Sequence, residues 1–280
     1  MQFDTKKDRV NVDTLRQGAF RMVANASAKI TPVALEKKLL EEFSVNKRQI
    51  KSAIRALVAG GELTYTYEYG STFLERSFAK PVRISKHIVL QPPGHQHSFK
   101  PNDVVVKIKP GASFGAGNHP TTRLAIRGIE FALLAHQVPD KAKHSSVLDI
   151  GTGSGVLLIA AILCGVQTGL GVDIDACARV EAAENVKINA LEDRAAISGQ
   201  SLAGIDQRFS LILANLRLPT LKMMRSQINE KADPNCYLIL SGMRNDELND
   251  LIQVYRQIQF EGIWADNELG WSGVVLRRCP

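Results

Sequence analysis

Residues 147–175 restrict the possible folds more than any other stretch of the chain. Val147-Leu148-Asp149-Ile150 is a short apolar run that ends in Gly151-Thr152-Gly153-Ser154-Gly155. An apolar segment follows from Val156 to Cys164, and a second run ends in Gly171-Val172-Asp173-Ile174-Asp175. A buried strand, a glycine loop, an apolar helix, a second strand and an acid make a βαβ unit of Rossmann type. Asp173 stands 22 residues after Gly151, near the spacing at which an acid meets ribose hydroxyls.

The glycine spacing selects the ligand. A dinucleotide site needs Gly-x-Gly-x-x-Gly, so that helix amides can hold a pyrophosphate. Here the third glycine is Gly155, and Val156 fills the position a dinucleotide loop gives to glycine. Gly-x-Gly-x-Gly after an acidic strand end is the S-adenosylmethionine (SAM) pattern. That ligand carries no phosphate, so Gly151, Gly153 and Gly155 pack on its adenosine and methionine parts, with Asp149 before them and Asp173 after.

Further segments complete a sheet. Residues 195–198 and 209–214 read as third and fourth strands, 237–240 as a fifth, and 260–264 with 272–277 as a closing hairpin-like pair. The expected fold is α/β, a seven-stranded Rossmann-like methyltransferase sheet. In open α/β sheets ligands sit beyond the carboxyl ends of the strands. Asn215, directly after the fourth strand, is therefore placed at the reacting methyl group as the catalytic residue.

Before the glycine loop, Pro110 to Thr122 gathers Gly111, Gly115 and Gly117 with Phe114, Asn118, His119, Thr121 and Thr122 at the start of a helix. A structural turn does not need so many hydrogen-bonding groups. This is read as a ligand-facing loop, with Phe114, Gly115 and Thr122 towards the cofactor and His119 and Thr121 towards the substrate. His95 and His97 are metal ligands by type, but two histidines with no third partner do not make a site, so no metal is expected.

The first third differs in texture. Helical periodicity covers 12–26, 32–43 and 47–59, and Thr31-Pro32 is a helix start. Alternating residues 63–69 and a short run at 72–74 follow, bracketing Gly70. Three helices and a β-hairpin read as a small winged-helix-like α+β domain. Its third helix carries Lys47, Arg48, Lys51 and Arg55 outward, the arrangement of a nucleic-acid contact or of a solvated basic face. The formal charge of +7 is uneven: residues 1–77 carry +4, 78–100 carry +4 and 101–280 carry −1. The division expected is a winged-helix-like domain over 1–77, a β-rich linker over 78–109 and a SAM-dependent methyltransferase domain over 110–280. No apolar run approaches a membrane span, the polar start does not read as a signal peptide, and four scattered cysteines fit neither a zinc knuckle nor a disulfide framework. A cytoplasmic protein is expected.

Phe114-Gly115, His119-Pro120-Thr121-Thr122, the glycine loop, Val172-Asp173-Ile174-Asp175 and Ala214-Asn215-Leu216 occur in that order. Together they resemble the PrmA family, bacterial methyltransferases of large-subunit ribosomal protein eleven. The resemblance spans about Phe78 to Arg278 and includes Pro81-Val82-Arg83-Ile84 and Leu240-Ser241-Gly242. It implies methyl transfer from SAM to protein amines (lysine or α-amine) with a ribosomal protein as partner, and SAM contacts at Thr122, Gly151, Asp173 and Asn215. The chain departs from the family at Ala116 and Asn118, where threonine is usual, and at residues 1–77, where members carry a ferredoxin-like domain. Two alternatives follow from the winged helix: a nucleic-acid methyltransferase that docks through it, and a non-catalytic, SAM-sensing DNA-binding protein.

Overall fold

The computed structural model describes residues 11–26, 28–68, 70–94, 98–109, 111, 113–115, 117, 119–135 and 146–279. Expectations on His95, His97, Pro110, Ala112, Ala116 and Asn118 lie outside the described residues. The chain divides into two compact units, Met1–Lys80 and Pro81–Pro280.

The first unit holds α1 (Val12–Ala24), α2 (Pro32–Glu42), α3 (Lys47–Ala59), β1 (Leu63–Glu68) and β2 (Ser71–Arg76). Each helix starts on a side-chain cap: Asn11 accepts from Asp13 N, Thr31 from Ala34 N, and Asn46 forms a reciprocal capping box with Gln49. β1 and β2 pair antiparallel, and Ile30 bridges Leu74. Leu15, Leu35, Leu39, Ile50, Ile54, Leu57 and Leu74 close one core.

In the second unit, β3 (Val82–Arg83), β4 (Ile88–Gln91) and β5 (Val104–Lys107) form a three-stranded sheet. Next come α4 (Pro120–Glu130), β6 (Ser146–Ile150), α5 (Val156–Leu163), β7 (Thr168–Val172), α6 (Ala176–Ile188) and β8 (Ala195–Ser198). β9 (Phe209–Asn215), α7 (Leu218–Met223), α8 (Arg225–Lys231), β10 (Ala232–Arg244), α9 (Leu248–Arg256), β11 (Phe260–Glu268) and β12 (Trp271–Arg278) complete it. The seven-stranded sheet runs β11-β12-β10-β9-β6-β7-β8. β10, β9, β6, β7 and β8 are parallel, and β12 pairs antiparallel with both β10 and β11. This is the α/β sheet expected from the sequence.

Both faces of the sheet are covered, which is why its strands read as apolar runs rather than alternating ones. Leu148, Ile212, Leu238 and Leu276 share one cluster with Leu221, Ile228, Leu251 and Tyr255 of α7, α8 and α9. The opposite parity meets α4 and α5: Gly128 lies against Ile239 and Val275, and Gly169 against Leu158 and Val147. Two boundaries differ from expectation. The fifth strand is 13 residues long, not four, because the pairing continues past an irregularity between Ala232 and Tyr237 that Asp233-Pro234-Asn235 disguises. α4, expected from Thr122 to about Leu134, starts at Pro120 because His119 caps it, and past Glu130 the helix widens into a π-type turn at Phe131–Ala135. Among the described residues no helix is long and apolar enough to cross a membrane.

Candidate cofactor and substrate site

A cavity of about 650 Å³ opens beyond the carboxyl ends of β6, β7 and β9. The glycine loop forms its floor. Gly151, Gly153 and Gly155 all have positive φ, at 69°, 54° and 80°, a region L side chains avoid. A Cβ on Gly153 would stand 2.5 Å from the Phe114 carbonyl oxygen. That carbonyl accepts from Ser154 N at 2.9 Å, so the upstream loop lies directly on the glycine loop. Gly155 caps α5 and abuts Ala182 of α6.

Of the residues singled out in the sequence, Phe114, Gly151, Gly153, Asp173 and Asn215 line the cavity. Asp173 is fixed by two amides: Oδ2 accepts from Gly153 N and Oδ1 from Asp175 N, each at 2.9 Å. A carboxylate oxygen has lone pairs for further donors, so the acid remains able to receive hydroxyls. Asn215 is the last residue of β9, and its Nδ2 donates to Thr122 Oγ1 at 3.5 Å.

The other expected contacts stand behind this lining. Thr121, Thr122 and Gly115 are buried, and Thr122 reaches the site through Asn215. His119 caps α4: its Nδ1 accepts from Thr121 N at 3.3 Å and pairs with Thr121 Oγ1 at 2.7 Å. Its ring packs between Phe114 and Trp271, with centroids 5.0 and 5.1 Å away, and the Arg244 guanidinium stands over the Trp271 ring at 3.9 Å. Asp149 is buried beneath the loop. Oδ2 accepts from Thr152 Oγ1 at 2.6 Å and from Leu158 N at 3.3 Å, while Oδ1 has no partner among the described residues. Burial pushes this carboxyl up to about 7, outweighing those two hydrogen bonds; the nearby charge of Asp173 adds to the rise.

Two clamps hold the ligand loop. At its start, two α6 side chains and the helix C-cap Asn189, at four-residue spacing, grip the backbone. Asn189 exchanges hydrogen bonds with Lys107 N and O, Asn185 Oδ1 accepts from Lys109 N at 2.9 Å, and Glu181 Oε2 accepts from Ser113 N at 3.0 Å. Asn185 also donates through Nδ2 to Ser154 O at 2.9 Å, joining loop to loop. At its end, Arg123 Nη1 donates to Gly117 O at 3.1 Å and the same guanidinium pairs with Glu268 of β11. Burial opposes ionisation of Glu268, but Arg123 and Arg127 outweigh it and hold the carboxyl below its ordinary value.

Sequence reasoning missed Gln200, Ser201 and Leu202 after β8 and Met224 and Gln227 of the α7–α8 region, all on the cavity wall. The rule that ligands sit past strand carboxyl ends could have reached the first three. The wall also holds Ile174, Leu216 and Asp175, and no Lys or Arg lines it among the described residues. Apolar surface suits a purine, two carboxylates suit hydroxyls and a cation, and phosphates are disfavoured. The residues thus fit SAM.

The chain matches the family model described as ribosomal protein L11 methyltransferase (PrmA) over residues 74–279. The chain belongs to this family. A ribosomal protein L11 methyltransferase of Geotalea daltonii is 33% identical over 208 residues, 73% of this chain and 66% of that protein. Its namesake in Geobacter metallireducens is 38% identical over 168 residues, 60% and 52% of the two chains. The crystal structure of a ribosomal protein L11 methylase from Lactobacillus delbrueckii subsp. bulgaricus superposes with a TM-score of 0.63 at 30% identity, covering 72% of this chain and all of that one. The chain spans just under two thirds of the length of the first of these curated relatives and about half of the second. The PrmA match begins inside β2, so nearly all of the first unit lies outside it.

Proposed function

We propose that the chain is a SAM-dependent N-methyltransferase that methylates amino groups, lysine or α-amine, of a ribosomal protein in the cytoplasm. Residues 110–280 would carry the reaction, with 78–109 as linker and 1–77 as a separate domain. The observation that carries this reading is the cavity wall: two carboxylates, apolar surface and a glycine floor, with no Lys or Arg among the described residues and with Asn215 at the end of β9. SAM, when bound, supplies a methyl group already activated by its sulfonium.

The protein's part is alignment. Gly151 and Gly153 let the backbone approach the ligand, Asp173 receives the ribose hydroxyls, and Phe114 covers the cavity. A free lysine with a pKa near 10.4 needs about 4 to 5 kcal/mol to shed its proton at pH 7, an α-amine only about 1 to 2 kcal/mol. Burial beside a sulfonium lowers both costs. With Nδ2 of Asn215 turned to Thr122, its Oδ1 is the acceptor that orients the neutral amine. Leu216-Arg217-Leu218 follows Asn215 and offers no aromatic plane to stack a nucleobase, which favours a protein amine over a nucleic-acid target.

Incubation with methyl-labelled SAM and dissociated ribosomes, both proteins and RNA, tests the reading. Label is expected in protein, and Asn215→Ala is expected to lower kcat at least tenfold at saturating SAM. Label in RNA alone, no label anywhere, or a wild-type kcat for the variant would overturn it.

A further inference from the structure

We propose that α3 and the β1–β2 hairpin of the first unit form a docking surface for B-form duplex DNA. α2 and α3 are joined by the four residues 43–46, the spacing of a helix-turn-helix. Ile50, Ala53, Ile54 and Leu57 bury one face of α3 in the core. The opposite face carries Lys47, Arg48, Lys51 and Arg55, all exposed, along about 12 Å of helix.

Folding does not ask for these charges. α3 has no acidic residue in its first turn, and three of its four cations stand within its first five residues, at the positive end of the helix dipole. Cations there work against the helix they sit on. Lys47 is paired with Glu36 at 3.2 Å, with its own side chain still 71% exposed. Arg48, Lys51 and Arg55 make no ion pair among the described residues. A helix N-terminus bearing unpaired cations concentrates positive potential, and its complement is a polyanion.

The hairpin beside it adds aromatic surface. β1 packs on α3, and β1 exposes Tyr65 and Tyr67 at 48% and 75%. Tyrosine hydroxyls and cationic side chains are the usual donors to DNA phosphates. Shape then chooses between duplexes. The major groove of B-form DNA admits an α-helix, whereas the A-form groove of RNA is too deep and narrow. Gln49 is held in the capping box with Asn46, which leaves Ser52 as the polar, uncharged side chain free among the cations. Binding through phosphates without strong base preference is the outcome this implies.

Fluorescence anisotropy of the full chain with a labelled 20-base-pair DNA, in 50 to 200 mM salt, tests the assignment. Micromolar binding is expected, with the steep salt dependence of phosphate contacts. Replacing Lys47, Arg48, Lys51 and Arg55 by Gln together should weaken binding at least tenfold and cut the log–log salt slope by about 3 to 4. The pair Lys51→Gln and Arg55→Gln, which leaves the helix start untouched, should cut the slope by about 2 even if the fourfold variant misfolds. Lys37→Gln with Lys38→Gln, on exposed α2 positions, should stay within twofold of wild type. The proposal is overturned if the wild type fails to bind, if the α3 variants bind like wild type, or if an RNA duplex of the same sequence binds as tightly.

Discussion

Replacing Asn185 by Ala separates a structural helix residue from one that builds the cofactor site. The side chain is 1% exposed and makes two hydrogen bonds of 2.9 Å, accepting from Lys109 N and donating to Ser154 O. Alanine leaves both backbone groups without that partner. A buried polar group stripped of its partner costs about 1 to 3 kcal/mol, so two cost about 2 to 6 kcal/mol. Lys109 lies near the surface, where water enters, which points to the lower half of that range. In a unit of this size each kcal/mol lowers Tm by about 2 to 4 °C, and a fall of about 4 to 16 °C is expected by circular dichroism. Ser113 and Phe114 line the cavity, and Asn185 fixes the chain at Lys109 just before them, so calorimetry should also show SAM affinity reduced at least tenfold. Asn189→Ala, on the same helix face but farther from the cavity, should lower Tm with little change in SAM affinity. If Asn185→Ala melts within 2 °C of wild type and binds SAM equally well, the clamp does not shape the site.

Gly153→Ala should lose at least tenfold in SAM affinity by calorimetry, since φ is +54° and the new Cβ would meet the Phe114 carbonyl at 2.5 Å; wild-type affinity would refute the close approach. Asp149, its carboxyl pushed up to about 7 by burial against an ordinary value near 3.8, keeps a proton when folded that it loses when unfolded. Its contribution to stability therefore falls as pH rises from about 4 to about 7, then levels off. In Asp149→Asn this decline should vanish, so Tm of the variant relative to wild type should rise across that window; a constant difference would refute the shift.

The site was legible where its chemistry is local in the chain. Gly151 to Gly155 and Asp173 belong to one βαβ unit whose spacing is set by strand and helix lengths, and Asn215 follows from strand order. What escaped was set by packing between distant segments. Asp149 carries the acidic signature, yet its position on β6 turns it under α5, where Leu158 N and Thr152 engage it. Thr122 is buried in α4 behind the cavity wall and meets the site through Asn215. Asn185 is a helix asparagine with no pattern around it, and its value appears only when Lys107, Lys109 and Ser113 are laid along α6. Gln227 needed the turn between α7 and α8 to bring it to the wall.

The two clamps on the ligand loop have a kinetic consequence. Ser113, held by Glu181, and Gly117, held by Arg123, are four residues apart in the sequence, and each is tied to the body of the unit. A ligand covered by Phe114 then cannot leave by a wide swing of a lid. Its exit requires one clamp to release, and the two are chemically unlike: α6 contributes two amides and a carboxylate, Arg123 a buried ion pair. For the function proposed above, such a release is a step that departure of the product would have to pass. Substitutions along α6 and at Arg123 would act on opposite ends of the same gate.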